Sequence, residues 1–467
     1  MTASNPHIPE LLVPAGDMEK LETAILYGAD AVYLGGDSLN LRAGAGGFSP
    51  EELERAIELA HNANVKVYFT LNVYPRESMI PAVKEYIERL RELKPDAIIA
   101  ADPGVIRMVR RLAPEIPVHV STQANTSNSE SIRFWQECGA SRVNVARELR
   151  SQELMEMLAI ARTEMPDVDL EVFVHGAMCM AVSGRCYMSA YLNDRPGNLG
   201  ECSHPCRYEY KPHTVTFEER TRPGEALWEI REYPIEKPEE EFSFDEEEDD
   251  FSFEPLGGDE TPAETMADPA LTLGHETGGW TKIFAAQDLC LMHYVEWFSR
   301  MKVASLKLEG RTKSSAYLAQ VVDAYKTALN DIPKGEFKPE KYLSEVVNAA
   351  SRPLTTGFFD PERRGAIAMP PEAGEKRPVL ARIIEKTGDG RWRVQTKSRW
   401  NMSDDIELLI PGMQRPRLSC EKYGVENKDN EGLEVAHPGQ FVEFICDHPG
   451  IRPGMFLRQP WDLDDLD

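Results

Sequence analysis

Short runs of β-branched and apolar residues alternate with longer amphipathic segments through the first two-thirds of the chain. This is the pattern of a parallel sheet joined by crossover helices. Eight segments read as strands: Glu10–Pro14, Ala31–Gly35, Lys66–Val73, Ala97–Ala101, Val118–Thr122, Arg142–Ala146, Leu170–Val174 and Ser305–Leu308. Helical patterns follow the early strands at Met18–Tyr27, Ser49–His61, Met79–Leu93, Val105–Leu112, Ser129–Cys138 and Ser151–Thr163, the second opening on a Ser-Pro-Glu-Glu start signal. Eight strands in this rhythm predict an α/β fold, a TIM-like (β/α)8 barrel. After the seventh strand the rhythm breaks, and over 110 residues precede the next helical segment, Leu289–Met301, which leads to the eighth strand and a closing helix at Ser314–Leu329. That excursion leaves the face where barrel active sites are built, which makes it the most informative part of the sequence.

Beyond about Glu375 the pattern changes to short alternating strands. Val379–Ile384 and Trp392–Thr396 flank a Gly-Asp-Gly turn, and Ile406–Ile410 and Gln440–Ile445 follow. The expected organisation is a barrel domain over residues 1–370 containing an insertion at 213–280, a small β-barrel-like domain over 375–460 and an acidic tail at 461–467.

Composition adds exclusions. With 42% hydrophobic and 28% charged residues among 467, the chain is a globular protein with no apolar run long enough to span a membrane. Its start, MTASNPHIPELLVPAG, lacks the basic and apolar regions of a secretory signal, so the expected location is the cytoplasm and no membrane partner is expected. The net charge of -26 argues against a strong non-specific hold on nucleic acid. Its distribution weakens that objection: 21 acidic and 4 basic residues fall between His213 and Trp280, so this stretch carries -17 and the rest of the chain -9. The run Asp245–Asp250 within it reads as part of a mobile, solvated insertion or as a docking segment for a protein partner.

Four of the eight cysteines lie close together as Cys179-x6-Cys186-x15-Cys202-x3-Cys206, with Cys290 beyond the insertion. In a cytoplasmic chain such clustering points to metal or redox chemistry. Zinc usually takes paired C-x2–4-C knuckles, and only Cys202–Cys206 has that form, whereas an iron–sulfur cluster tolerates irregular spacing. An iron–sulfur cluster, zinc, and free thiols or local disulfides all stay open on spacing alone. Cys138, Cys420 and Cys446 read as small buried apolar residues.

The segment EVFVHGAMCMAVSGRCYMS, Glu171–Ser189, resembles the signature of the U32 peptidase family, the collagenase-like group. ELLVPAGDMEKLETAILYGADAVYLGG near the start, STQANTSN at Ser121–Asn128, CSHPCRYEY at Cys202–Tyr210, DLC at Asp288–Cys290 and SLKLEGRTKSSAY at Ser305–Tyr317 extend the resemblance over about Pro9–Phe359. The long form with an extra C-terminal β domain implies a tRNA-modifying hydroxylase that makes 5-hydroxyuridine at the wobble position with prephenate as co-substrate. Relatives modify ribosomal RNA or a quinone ring. The resemblance also implies a 4Fe-4S cluster on Cys179, Cys186, Cys202 and Cys290, with Cys206 as the rival fourth ligand. Proteolysis, which the family name suggests, finds little support: no H-E-x-x-H or G-x-S-x-G occurs, and only Cys179 with His175 can be drawn as a thiol–imidazole pair.

In a barrel, residues just past strand ends face the site, which selects Asp17, Asn72, Asp102, Gln123, Asn125, Arg147, Glu148, His175, Glu309, Arg311 and Lys313. His175, Glu309 and Arg311 are the candidate catalytic residues. Gln123, Asn125, Arg147 and Lys313 are the candidate substrate contacts. Arg311 and Lys313 at a strand end suit a dicarboxylate such as prephenate or an RNA phosphate, while an internal Glu309–Arg311 pair is the alternative. Asp17 reads as the cap of the first helix. In the C-terminal domain Arg391, Trp392, Arg393, Lys397 and Arg399, with Trp400, combine cations and aromatic rings as an RNA-contact face does, or form a solvated hairpin with its tryptophans inward.

Overall fold

The computed structural model describes residues 6–36, 39, 47–179, 181–195, 197–207, 214–215, 232–233, 287–360, 366–371 and 377–460. Eight parallel strands close a barrel: β1 (Glu10–Pro14), β2 (Ala31–Leu34), β3 (Lys66–Thr70), β4 (Ala97–Ala100), β5 (Val118–Val120), β6 (Ala140–Asn144), β7 (Asp169–Ala177) and, after an intervening β8 (Asp288–Cys290), β9 (Ser305–Leu308). Neighbours pair in chain order, and β9 pairs with both β7 and β1 to complete the ring. The outer layer holds α1 (Met18–Leu26), α2 (Pro50–Asn62), α3 (Ile80–Leu93), α4 (Pro103–Leu112), α5 (Ser129–Glu137) and α6 (Ser151–Glu164). After β7 come α7 (Met188–Asn193), α8 (Val295–Arg300), α9 (Ser315–Asp331) and α10 (Pro339–Ala349).

Local chemistry starts the helices where the strands deliver the chain. The side chains of Asp17, Asp102, Asn128 and Ser314 each accept a backbone N–H of the following first turn, and Ser49 forms a reciprocal capping box with Glu52. Each such cap is worth about 1 kcal/mol. Leu11, Val13, Val32, Val67 and Ile98 turn outward into the core shared with the helices, whereas Leu12, Ala31, Tyr33, Tyr68, Ala97 and Ile99 form a separate apolar cluster. Both strand faces are buried, which is why these runs show no alternation of apolar and polar residues.

The structure departs from the expected helix Leu289–Met301. Its first residues form β8, antiparallel to the end of β7 with Asp288 opposite Ala177 and Cys290 opposite His175, and helix α8 begins only at Val295. A short apolar run does not distinguish strand from helix by periodicity, and β7 outruns the barrel, leaving an edge that β8 covers. Helix α10 and the short strands β10 (Leu354–Thr355) and β11 (Ala366–Ala368), which extend the sheet from β8, were not anticipated.

The C-terminal region is the expected small β domain. Its strands are β12 (Val379–Gly388), β13 (Arg391–Thr396), β14 (Trp400–Asn401), β15 (Ile406–Leu409), β16 (Arg417–Leu418), β17 (Gly424–Glu426), β18 (Val435–Ala436), β19 (Phe441–Ile445) and β20 (Phe456–Arg458). Seven of them make an antiparallel sheet in the order β16-β15-β20-β12-β13-β19-β17, over a core that includes Ile383, Val394, Trp400, Phe444 and Leu457. Gly388-Asp389-Gly390 makes the β12–β13 turn as expected, with Gly390 at φ +63°. A buried ionic cluster fastens this domain to α9 and α10: Arg458 donates to Glu407 (2.6 Å), Gln320 (2.7 Å) and both oxygens of Glu345 (3.0 Å). Arg415 bridges Asp323 (2.7 Å) and Glu345 (2.8 Å).

A second compact unit, His204–Ala285, is distinct from the rest of the chain. Its described residues include a 3-10 turn at Pro205–Arg207 and an antiparallel pair, Thr214–Val215 with Glu232–Tyr233. The acidic run Asp245–Asp250 lies outside the described residues, as does the tail 461–467.

Two outcomes follow from the ionic cluster. Arg458→Ala leaves Glu345 and Glu407 buried without their main partner, and urea unfolding should show a loss of about 3–5 kcal/mol. Burial alone raises the Glu345 carboxyl, but Arg458 and Arg415 overcome it and hold the group at about 2, below its ordinary 4.5. The stabilisation is therefore complete above about pH 4.5 and is lost as pH falls toward 2. Unfolding free energy measured down that window should fall less steeply in Glu345→Gln.

Candidate active site at the barrel mouth

Four connections meet at the C-terminal ends of the strands. The long β7 carries the chain through Gly176, where two features require glycine: a φ of +109°, and an approach to β9 so close that a Cβ would stand 2.6 Å from the Glu309 carbonyl oxygen. This contact packs the end of β7 on the end of β9. Beyond Cys179 the chain makes a 3-10 turn, Val182–Gly184, that lies against the turn Thr122–Ala124 after β5. The Ser183 N–H donates to Glu148 (2.6 Å) and its hydroxyl to Asn125 (2.8 Å), while the Arg185 guanidinium donates to the Gln123 carbonyl (3.0 Å). Gln123, Asn125 and Glu148, selected from strand ends alone, thus converge on the cysteine segment. Gln123 Oε1 and Glu148 Oε2 are buried without a hydrogen-bond partner.

The other selected residues are committed within the fold to varying degrees. Asp17 and Asp102 cap α1 and α4. Arg147 donates to the Ala177 carbonyl (2.8 Å) and stacks over Phe173. Lys313 reaches Asp288 (3.4 Å) and Ser351 (3.1 Å), and Arg352 also donates to Asp288 (3.0 Å). Glu309 and Arg311 are both buried, and the Arg311 carbonyl accepts from Lys20 (3.1 Å). His175 sits under the mouth, 2% exposed, with its Nδ1 3.5 Å from the Tyr325 hydroxyl. Burial first, and then the Lys313 ammonium, push its imidazole down to about 3 against the pull of Glu309. This favours the neutral imidazole near pH 7 over the imidazolium that a thiol–imidazole pair with Cys179 would need. Sequence reasoning missed Tyr325 and Tyr317, whose rings flank His175; their signal, two tyrosines eight residues apart, was indistinguishable from core spacing.

None of the eight cysteines is in a disulfide. Cys179 is exposed, and Cys186 and Cys202 are half-buried. Gly184, at φ +75°, lies beside the Cys179 sulfur, 3.6 Å from where its Cβ would stand, and Gly197 lies beside the Cys202 sulfur at 3.7 Å. The Met188 N–H points at Cys186 Sγ (3.4 Å). Cys290 differs: it is wholly buried, 3.8 Å from the Tyr325 hydroxyl, and burial pushes its thiol up to about 11. Cys206 lies in the second unit. Soft thiolate donors with adjacent glycine and amide groups have the chemistry an iron–sulfur cluster takes. Among the described residues, however, no three His, Cys, Asp or Glu side chains are gathered to share one metal ion.

In the C-terminal domain three of the four cations of the basic strip have partners within the protein. Arg391 pairs with Glu426 (2.5 Å) and Arg393 with Glu385 (3.2 Å), Lys397 reaches Gln395 (2.9 Å), and the buried Trp392 donates to the Cys446 carbonyl (3.3 Å). Arg399 is exposed, next in sequence to the fully buried Trp400.

The family model for peptidase family U32 matches residues 16–367. The chain belongs to peptidase family U32. Among the relatives of this U32 protein, "tRNA hydroxylation protein P" of Escherichia coli (strain K12) is 32% identical over 98% of this chain and 95% of that one. A protein of the same name from Helicobacter pylori is 36% identical over 75% of this chain and 71% of that one. The solved U32 peptidase Mk0906 aligns with 38% of this chain and 72% of its own at 16% identity and a TM-score of 0.31. Among the described residues of this U32 chain, no helix is long and apolar enough to cross a membrane.

The neutral state of His175 is directly measurable. With its folded value near 3 instead of 6.5, ¹⁵N-histidine spectra should show a ring, absent in His175→Gln, that does not titrate between pH 5 and 8, alongside that of His119, whose imidazole burial also pushes well down.

Proposed function

We propose that this chain is an RNA-modifying hydroxylase that acts on tRNA, forming 5-hydroxyuridine at the wobble position with prephenate as co-substrate and an iron–sulfur cluster as cofactor. The observation that carries this reading is the end-to-end similarity, C-terminal sheet included, to a relative named for tRNA hydroxylation. The site supports it in kind. A uridine in an anticodon loop leaves its stack at small cost and can enter a barrel mouth. There, Gln123 Oε1 and Glu148 Oε2 are acceptors without partners, suited to the N3–H of uracil, and Asn125 and Ser183 hold the two turns together. Cys179, Cys186 and Cys202, with Cys290 or Cys206 as fourth, are the residues that would hold the cluster, which supplies one-electron chemistry when bound. Cys290 would first have to lose the proton that burial now keeps on it.

Lys313 and Arg352, already gathered on Asp288, offer positive charge for the carboxylates of prephenate, and Arg311 lies on the same strand exit. Closing such a site over the base would exclude water from the reacting carbon.

Expressed in a bacterial strain deleted for its own U32 tRNA hydroxylases, the chain should restore 5-hydroxyuridine in tRNA digests read by mass spectrometry. A host blocked before prephenate should give none, and Cys179→Ala should abolish the product. Protein purified without oxygen should carry iron and sulfide that the variant lacks. Stoichiometric zinc without sulfide would overturn the cluster, and collagen cleavage that survives replacement of Cys202 and Cys290 would favour a peptidase.

A further inference from the structure

The segment that carries the cysteines also carries an unusual surface. Four large hydrophobic residues within eleven positions are exposed: Val182 (59%), Tyr187 (79%), Tyr191 (75%) and Leu192 (50%). No other large apolar side chain among the described residues is as exposed as the two tyrosines. They are not scattered. Tyr187 immediately precedes α7 and Tyr191 lies one turn later, with the Tyr191 N–H bonded to the Tyr187 carbonyl (2.8 Å), so the two rings rise from one face. The helix is fixed from its other side, where the buried Ser189 hydroxyl bonds the Ser203 N–H (3.0 Å) and Asn193 donates to Ser203 (2.7 Å).

A third planar group lies two residues before Tyr187 in the chain. Arg185, exposed, is aimed by its bond to the Gln123 carbonyl and lies over the Tyr74 ring at 5.6 Å, while the Tyr74 hydroxyl bonds that same carbonyl (2.5 Å). Exposed apolar patches of this kind mark binding surfaces, and rigid rings with polar tips suit stacking on bases more than packing against an aliphatic core. Charge in the segment is balanced, Arg185 and Arg195 against Asp194 and Glu201, so attraction to phosphate is not its main resource. The cationic strip of the C-terminal sheet, by contrast, is largely paired within the protein.

We propose that Tyr187 and Tyr191, with Arg185, form a stacking platform for unpaired bases of the RNA substrate, flanking the base that enters the barrel mouth. This rests on the RNA-hydroxylase reading and specifies the part of that site that grips the loop. Stacking on an aromatic ring is tolerant of base identity and releases few counterions. The platform therefore contributes affinity without steepening the salt dependence.

The test uses the full chain purified without oxygen and a tRNA transcript with uridine at the wobble position, with binding followed by fluorescence anisotropy across a salt series. Tyr187→Ala and Tyr191→Ala should each weaken binding about tenfold, with the slope against log salt unchanged, and should lower hydroxylation of the transcript in parallel. Tyr187→Phe and Tyr191→Phe should stay within about twofold, and Phe134→Ala, an exposed ring on the outer helix α5, should change nothing. Unchanged binding by the alanine variants overturns the platform. So does a clear drop in their melting temperature, which would mean that the rings pack against another part of the chain. Wild-type protein that binds no tRNA would instead overturn the RNA reading on which the platform rests.

Discussion

The barrel is held in register by a charged network inside it. Arg142 on β6 pairs with Glu10 on β1 (2.6 Å) and with Asp169 at the start of β7 (3.1 Å), while Lys307 on β9 pairs with Glu171 on β7 (2.8 Å). Tyr68 and Asn144 add hydrogen bonds to Glu10 (2.8 Å) and Glu171 (2.7 Å). Burial would raise the Glu171 carboxyl, yet Lys307 and then Arg142 hold it below the ordinary carboxylate range. Ions this deeply buried are tolerated only when paired, so any slip of β9 against β7 or of β1 against β6 would strand a charge. The same two strands lead to the site residues: β7 carries His175 two residues before its end, and Glu309 directly follows β9. The network therefore sets the height at which the site residues emerge.

Barrel and site were legible in the sequence to different depths. The eight strands could be placed because each βα turn carries its own punctuation, as Asp17, Ser49, Asp102 and Ser314 do by capping the helices that follow. The convergence of Gln123, Asn125 and Glu148 was legible only as position at strand ends; that they meet Ser183 depends on how the cysteine segment folds back, which has no periodicity to read. Strand β8 was read as helix because Leu289, Cys290 and Leu291 satisfy either pattern, and only the overhanging edge of β7 decides between them. The burial of Cys290 follows from that difference: as a strand residue opposite His175 it faces Tyr325, whereas at the head of a helix it would have been close to solvent.

Arginines, a lysine and tryptophans within ten residues suggest an RNA face or a solvated hairpin; β13 alternates them, with Trp392 inward, Arg391 and Arg393 paired with glutamates across the sheet, and Arg393 and Arg399 exposed. What distinguishes this domain physically is its attachment. Arg458, 0% exposed, spends its donors on Glu345, Glu407 and Gln320, and Tyr27 of the barrel donates to the Leu409 carbonyl (2.7 Å). Such an interface favours a rigid pair over a tethered one, because sliding would expose or unpair several buried charges at once. The sheet and the outer helices α9 and α10 are thereby held as one body.

A rigid body places the burden of adaptation on the segment after β7. Its backbone is unusual, with Ser183 and Asp194 as well as Gly176 and Gly184 at positive φ, and glycines stand beside the sulfurs of Cys179 and Cys202. A regular helix, whose side chains radiate over all sides, could not make separate contacts with the turns after β5 and β6. Short turns pinned at single points, Ser183 to Asn125 and Glu148, Arg185 to Gln123, Ser189 to Ser203, do so while leaving the turns between those points room to adjust. The site is thus built on rigid strand ends but closed by a pinned, irregular segment. Within the fold, that segment is where a change in substrate among U32 proteins can arise without disturbing the barrel.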